Sequence, residues 1–270
     1  MKLTAPCKIN LGLDILRRRA DGYHDIETVM MIVPDLADAL TIESAPRTTV
    51  RGEGSAVDCS AEDNLCVRAA RLMSERYGAG GVAITLDKRV PFGAGLGGGS
   101  SDAASVIVAV NKLYELGLSD DEMCDVAAVL GSDTSFFVRR TPQMCTSRGE
   151  VMTPFDLSRL SGMWVAIVKP PFGVSTPQAY AGVQPHLPAV PLAERLSADI
   201  STWRDTLTND FERTVFALYP SLSHIKEQLY DAGAWYASMS GSGSAMFGLF
   251  ENKPTQLPFA DDMFVFVGRL

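Results

Sequence analysis

Apolar and polar positions alternate over residues 8–16, the period of a half-buried strand. The alternation puts Lys8, Asn10 and Gly12 on one face and Ile9, Leu11 and Leu13 on the other. Two polar groups and a glycine on one face suit an opening onto a site; they also suit plain exposure to solvent, and the pattern leaves both open. Further strands are predicted over residues 28–33, 39–43, 82–86, 164–168, 237–239, 245–250 and 263–267. Residues 64–77 read as a helix, with Leu65, Ala69, Leu72 and Met73 on one face and Gly78 and Gly80 ending it. Residues 102–116 are apolar on nearly every face and predict a buried helix. Ser119-Asp120-Asp121-Glu122 is a capping-box signature for a helix running to Leu130. Helices are also expected over 210–218 and 222–232, and Pro177, Pro185, Pro188 and Pro191 punctuate a loop-rich stretch before them. Strands and helices mix without strict alternation, which favours an α+β architecture over a doubly wound sheet. The pattern restarts after Glu150, so two domains are expected, 1–150 and 151–270.

Composition narrows the ligand classes. The 270 residues are 46% hydrophobic and carry a formal charge of −8, an unfavourable balance for a nucleic-acid partner. A small anionic ligand stays open, because a few local donors outweigh net charge. No apolar run approaches a membrane span, and residues 1–6 have no apolar targeting segment. Cys7, Cys59, Cys66, Cys124 and Cys145 are odd in number and form no CxxC pair, so free thiols and a cytoplasmic setting are expected. His24, His186 and His224 lie far apart, and no protein-built zinc site is expected.

Five of the 23 glycines fall within Gly93-Ala94-Gly95-Leu96-Gly97-Gly98-Gly99, followed by Ser100 and Ser101. Glycines before a helix present bare N–H groups to an anion, and the helix start adds partial positive charge. This is chemistry for a polyphosphate. The run contains a literal GxGxxG, but the charged, Pro-terminated Asp87-Lys88-Arg89-Val90-Pro91 is a poor dinucleotide-fold strand. A Walker loop needs a lysine after its last glycine, where this chain has Ser100. A flexible linker would not lead straight into an apolar helix.

The segment from Pro91 to Ala104 resembles the phosphate-binding motif of the GHMP kinases (galacto-, homoserine, mevalonate and phosphomevalonate kinases). Pro6-Cys7-Lys8-Ile9-Asn10-Leu11, Asp63-Asn64-Leu65 and Gly131-Ser132-Asp133 are similar to other segments of the family. So are Gly173-Val174-Ser175-Thr176 with Tyr180, Asn209-Asp210-Phe211-Glu212, and Ser240-Gly241-Ser242-Gly243-Ser244, in order. Arg19-Ala20-Asp21-Gly22-Tyr23-His24 resembles the cytidine loop of one branch. The resemblance implies a two-domain α+β fold with the active site in a cleft, and ATP with Mg2+ as cofactors. The reaction it implies is phosphorylation of the 2-hydroxyl of 4-diphosphocytidyl-2-C-methyl-D-erythritol. A homoserine or mevalonate type of GHMP kinase is the first alternative, and a non-catalytic nucleotide- or RNA-binding relative the second. Monomer and homodimer both stay open.

The resemblance also implies roles. Asp133 is the base and Lys8 its ion-pair partner, stabilising developing charge; the local sequence alone allows Asp133 to be a helix N-cap instead. ATP falls to Asn64, Lys88, Pro91, Gly93, Gly95, Leu96, Gly97, Gly98, Gly99, Ser100 and Ser101. Asn10 orients the alcohol, Tyr23 and His24 read the cytosine with Tyr180 opposite, and Thr176 stands beside the polyol. Residues 240–244 form a second small-residue loop by the phosphates, or a plain turn. Three departures from the family pattern are Cys7 before the lysine, Thr134-Ser135 after the aspartate, and Arg148, which is expected to face phosphate or only solvent.

Overall fold

The computed structural model describes residues 1–54 and 63–270, so Cys59 lies outside the described residues. The chain opens with β1 (Lys2–Arg18), β2 (His24–Ala45), β3 (Thr49–Gly54), α1 (Leu65–Tyr77) and β4 (Gly81–Lys88). Next come α2 (Gly98–Leu113), α3 (Asp120–Ala128), α4 (Thr134–Arg139), β5 (Gln143–Ser147), β6 (Val151–Pro154), β7 (Trp164–Lys169), α5 (Thr176–Ala181), α6 (Leu192–Ser197) and α7 (Trp203–Thr206). The last elements are α8 (Phe211–Leu218), α9 (Ser221–Asp231), β8 (Tyr236–Met239), β9 (Met246–Phe250) and β10 (Phe264–Arg269). No helix among the described residues is long and apolar enough to cross a membrane.

Two compact units interleave along the chain. The first comprises Met1–Cys7, Leu36–Pro91 and Gly97–Thr141; the second comprises Lys8–Asp35, Phe92–Leu96 and Pro142–Leu270. They are therefore not consecutive halves meeting at residue 150, because the long strands β1 and β2 each pass from one unit to the other.

In the first unit, Ala39–Ala45 of β2 pairs antiparallel with β4, and β3 pairs parallel with β4. Helix α2 packs on α1 and α4, burying Ala103, Ala104, Val106, Ile107, Ala109 and Val110. Its burial on nearly every face matches the all-round apolar pattern. The helix begins at Gly98, four residues earlier than that pattern suggests, because the glycines themselves take helical conformation.

In the second unit, Ile26–Met30 of β2 pairs antiparallel with β5, and β5 with β6. A separate antiparallel sheet runs β10-β7-β9-β8. Leu13, Ile15, Phe211, Val215, Ile225 and Met239 are part of the buried core there. The two strands predicted over 28–33 and 39–43 are one strand, and Pro34 is tolerated in it because it falls between the stretch paired to β5 and the stretch paired to β4. The four described cysteines, Cys7, Cys66, Cys124 and Cys145, are unbridged and buried.

Candidate functional site

In the second unit the predicted strand face becomes a chain of buried polar contacts. Lys8 Nζ donates to Asn10 Oδ1 at 2.5 Å, and Asn10 Nδ2 donates to Thr28 Oγ1 at 3.1 Å. Thr28 in turn donates its hydroxyl to Gly12 O at 2.6 Å. The Thr28 donation settles which way the Asn10 amide points, and so keeps an oxygen against the Lys8 ammonium. Lys8 is 3% exposed, and a charge so placed needs such partners. The solvent alternative for this face is thereby excluded.

The first part of the glycine run packs beside that strand. Lys8 N donates to Leu96 O at 3.0 Å, and Ser240 Oγ donates to Gly95 O at 3.0 Å. Ala245 N donates to Ala94 O at 3.0 Å, tying the 240–244 turn to the loop. Gly95 has φ +73° and lies so close to the turn that a Cβ there would meet the Ser240 carbonyl and Gly243 N. Gly241 has φ +53°, and a Cβ on it would stand 3.2 Å from Lys8 Nζ. Gly241 of residues 240–244 therefore packs against the Lys8 ammonium. Thr176 lies at the same turn, its hydroxyl 3.2 Å from Ser242 Oγ. Gly93 faces Gly173, where an added Cβ would be 3.9 Å from Gly173 Cα.

The three expected cytidine residues separate, His24 with Tyr180 and Tyr23 apart from them. His24 stacks on Tyr180, with ring centroids 4.7 Å apart and 15° between planes, and Phe211 meets Tyr180 edge-on. Burial, and secondarily the nearby Arg18, hold the His24 imidazole below its ordinary pKa, favouring the neutral ring. Tyr23 does not join that stack. It is 58% exposed, its N–H donates to Asp21 Oδ1 at 3.1 Å, and the Arg148 guanidinium lies 5.2 Å over its ring. Arg148 also pairs with Glu150 at 3.2 Å, so solvent alone does not describe it.

The first unit holds the remaining residues. Asn64 accepts from Cys66 N at 2.9 Å as the N-cap of α1. Pro91 closes the link from β4, Gly97 is the N-cap of α2, and Gly98, Gly99, Ser100 and Ser101 form its first turn. Lys88 comes close to that turn, since a Cβ on Gly98 would be 3.4 Å from its Nζ. The ammonium is held by Asp38 and by Asp102, the latter at 2.8 Å. Asp38 also accepts from Arg89 N and Val90 N, at 2.6 and 2.8 Å. Two carboxylates against one ammonium leave an excess negative charge in a buried place. Burial, opposed by Lys88 and aided by Asp38, pushes the Asp102 carboxyl up to about 7. Ser101 Oγ and Asp102 Oδ1 are buried without a hydrogen-bond partner.

Asp133 stands at the N-cap position of α4, yet its side chain makes no capping bond; Thr134 N donates instead to Gly131 O at 3.1 Å. The capping alternative is thus not realised. Phe136 and Phe137 behind it are fully buried and meet edge to face.

Sequence reasoning missed Thr28 as the partner of Asn10, and Asp38 and Asp102 as the partners of Lys88. A signal existed only for Asp102, an acid opening an otherwise apolar helix.

Residues 64–140 match the GHMP kinases N terminal domain, and residues 189–263 match the GHMP kinases C terminal domain. The chain is 44% identical over 266 residues to the 4-diphosphocytidyl-2-C-methyl-D-erythritol kinase of Parabacteroides distasonis, covering 97% of each chain. It resembles the crystal structure of a 4-(cytidine 5'-diphospho)-2C-methyl-D-erythritol kinase with a TM-score of 0.80 at 36% identity, covering 94% of this chain and 91% of that one. A mevalonate kinase crystal structure shares the fold, with a TM-score of 0.75 at 14% identity, covering 100% of this chain and 98% of that one.

Proposed function

This chain belongs to the GHMP kinase family, and on that premise we propose that it transfers the γ-phosphoryl group of ATP to the 2-hydroxyl of 4-diphosphocytidyl-2-C-methyl-D-erythritol. The observation that carries the reading is the Lys8 ammonium, held at the end of the Asn10–Thr28 relay and covered by Gly241. A fixed, poorly solvated cation is what charge development on a transferring phosphoryl group needs. Substrate specificity comes from the exposed Tyr23 ring and from the separate His24–Tyr180 stack, aromatic surfaces suited to a pyrimidine.

Phosphoryl transfer asks for alignment, charge neutralisation and a proton acceptor. Asp133 takes the hydroxyl proton as the alcohol oxygen attacks the γ-phosphorus and the bond to the ADP oxygen breaks. Asn10 orients the alcohol, and Thr176 stands beside its polyol end. Gly93, Gly95, Leu96 and residues 97–101 hold the ATP phosphates through N–H groups and hydroxyls, Pro91, which has no N–H to give, shapes the entry to that loop, and Asn64 and Lys88 lie toward the nucleoside. Asp38 and Asp102 neutralise Lys88, so it fixes the loop as much as it attracts the ligand. The buried, unpartnered Ser101 hydroxyl is an oxygen donor of the kind that would hold magnesium, and that ion would supply neutralisation of the phosphate charge. The four described cysteines, buried and unbridged, suit a reducing compartment such as the cytoplasm.

The test is ADP release with ATP, magnesium and one alcohol at a time. Turnover is expected with the cytidine diphosphate substrate. Turnover confined to homoserine or mevalonate would replace it with another kinase of the family, and none with any alcohol would overturn a kinase role.

A further inference from the structure

The segment Asn209-Asp210-Phe211-Glu212 has no part in the reading above, yet it grips the turn that covers Lys8. Asn209 is 3% exposed and all of its amide is used. Its Nδ2 donates to Met239 O and to Gly241 O, both at 2.8 Å, while its Oδ1 accepts from Phe211 N, the first residue of α8, at 3.0 Å. Carbonyl oxygens only accept, so this is the one orientation the amide can hold. Glu212 grips the same strand end from the other side. Its Oε1 accepts from Met239 N at 2.8 Å and Ser238 Oγ at 3.0 Å, and its Oε2 pairs with Lys226 at 2.6 Å. The N–H and the C=O of Met239 are therefore both claimed by this segment.

The same segment is tied to the strand that carries Lys8. Leu13 N donates to Thr208 O, and Asp210 N donates to Leu13 O, each at 2.9 Å. Gly241 lies between these anchors and the reacting groups. A Cβ on it would be 3.1 Å from Gly95 O and 3.2 Å from Lys8 Nζ, so little free space separates the turn from either. Anything that lets the Gly241 carbonyl drift changes the cover over the ammonium and the contact with the glycine loop.

We infer that Asn209, seated by Glu212, is a positioning residue for phosphoryl transfer: it sets residues 240–244 against Lys8 and Gly95 before ATP arrives. Resting on the kinase reading, this assigns the segment to the chemical step and not to substrate affinity. A displacement of about 1 Å in a reacting arrangement costs on the order of 10²-fold in rate.

Two variants test it, each with kcat, both KM values and melting temperature measured. Asn209→Asp keeps the acceptor for Phe211 N but sets a carboxylate against two carbonyl oxygens. Its kcat is expected to fall about 10²-fold, with KM for the cytidine substrate within about 3-fold of wild type. On protonation the acid regains one donor, so its kcat relative to wild type should rise as pH falls. Asn209→Ala, which lacks any acid, should lose kcat similarly with no such rise. Wild-type kcat in either variant, or losses spread equally over kcat and both KM values, would overturn the inference. So would failure of both variants to fold, because residue 209 would then serve the fold alone. A wild-type chain that phosphorylates no alcohol would instead overturn the kinase reading beneath it.

Discussion

Replacing Gly95 by alanine probes how closely the glycine loop and the 240–244 turn must fit. Two costs arise together. Gly95 has φ +73°, a conformation that costs an alanine roughly 1–2 kcal/mol. The new Cβ would also lie 2.9 Å from the Ser240 carbonyl carbon and 3.0 Å from Gly243 N, and closer still to the Ser240 oxygen. Ordinary contact begins at 3.4 Å. Both neighbours are backbone, so no flexible side chain can yield, and the loop or the turn must move by about 1 Å. Such a shift at a phosphoryl-transfer site costs on the order of 10²-fold in kcat, about 2.7 kcal/mol of barrier. Gly78→Ala is the matched control: its φ is +69°, but nothing lies within 4 Å of the added Cβ. Steady-state ADP release and thermal melting should be run on both. The expected result is a loss of stability in both, larger in Gly95→Ala because it adds the backbone clash, with kcat lost only in Gly95→Ala. Wild-type kcat in Gly95→Ala, or equal losses in both variants, would refute the argument from contact.

Other perturbations address separate groups. Asp133→Asn should lower kcat by a factor on the order of 10² or more while ATP affinity, read by calorimetry, is kept; a surviving kcat removes Asp133 as the base. Tyr23→Ala should raise KM for the cytidine substrate with little change in KM for ATP, and the reverse pattern would remove its stacking role. Asp102 holds a proton up to about pH 7 in the folded chain, whereas the unfolded chain loses it in the ordinary carboxylate range. Between those limits folded-state stability falls as pH rises. Asp102→Asn removes that dependence, so its melting temperature relative to wild type should be higher at pH 8 than at pH 5. An equal difference at both would show that Asp102 does not titrate there.

Much of the site was legible because its signals are local. The two-residue period put Lys8 and Asn10 on one face, and the all-round apolar run marked α2 as buried. What stayed hidden depends on distant partners. Nothing near Lys88 in the chain announces Asp38, fifty positions earlier, as its counter-ion. Asn209 was visible as part of a family motif, but its hold on Gly241 spans thirty-two positions. Short elements escaped for another reason. Helices α4, α5 and α6 have six residues each, too few for a helical period to repeat. Strands β5 and β6 are five and four residues long. The early start of α2 was obscured because glycine has a low intrinsic helix propensity, and only the fold holds Gly98 and Gly99 helical.

Arg148, met in the sequence as a departure from the family pattern, bears on how selective the molecule is toward aromatic ligands. Its guanidinium occupies one side of the Tyr23 ring, and the Tyr23 N–H is tied to Asp21. An exposed tyrosine would otherwise lose about 0.5–1.5 kcal/mol of rotational freedom on taking up a ligand. Here Arg148 already takes one side of the ring, so in the proposed cytidine-reading role the ring would offer a base one free face. A flat heterocycle can rest on it from one side only, and a cation already beneath the ring draws electron density away from the face it presents.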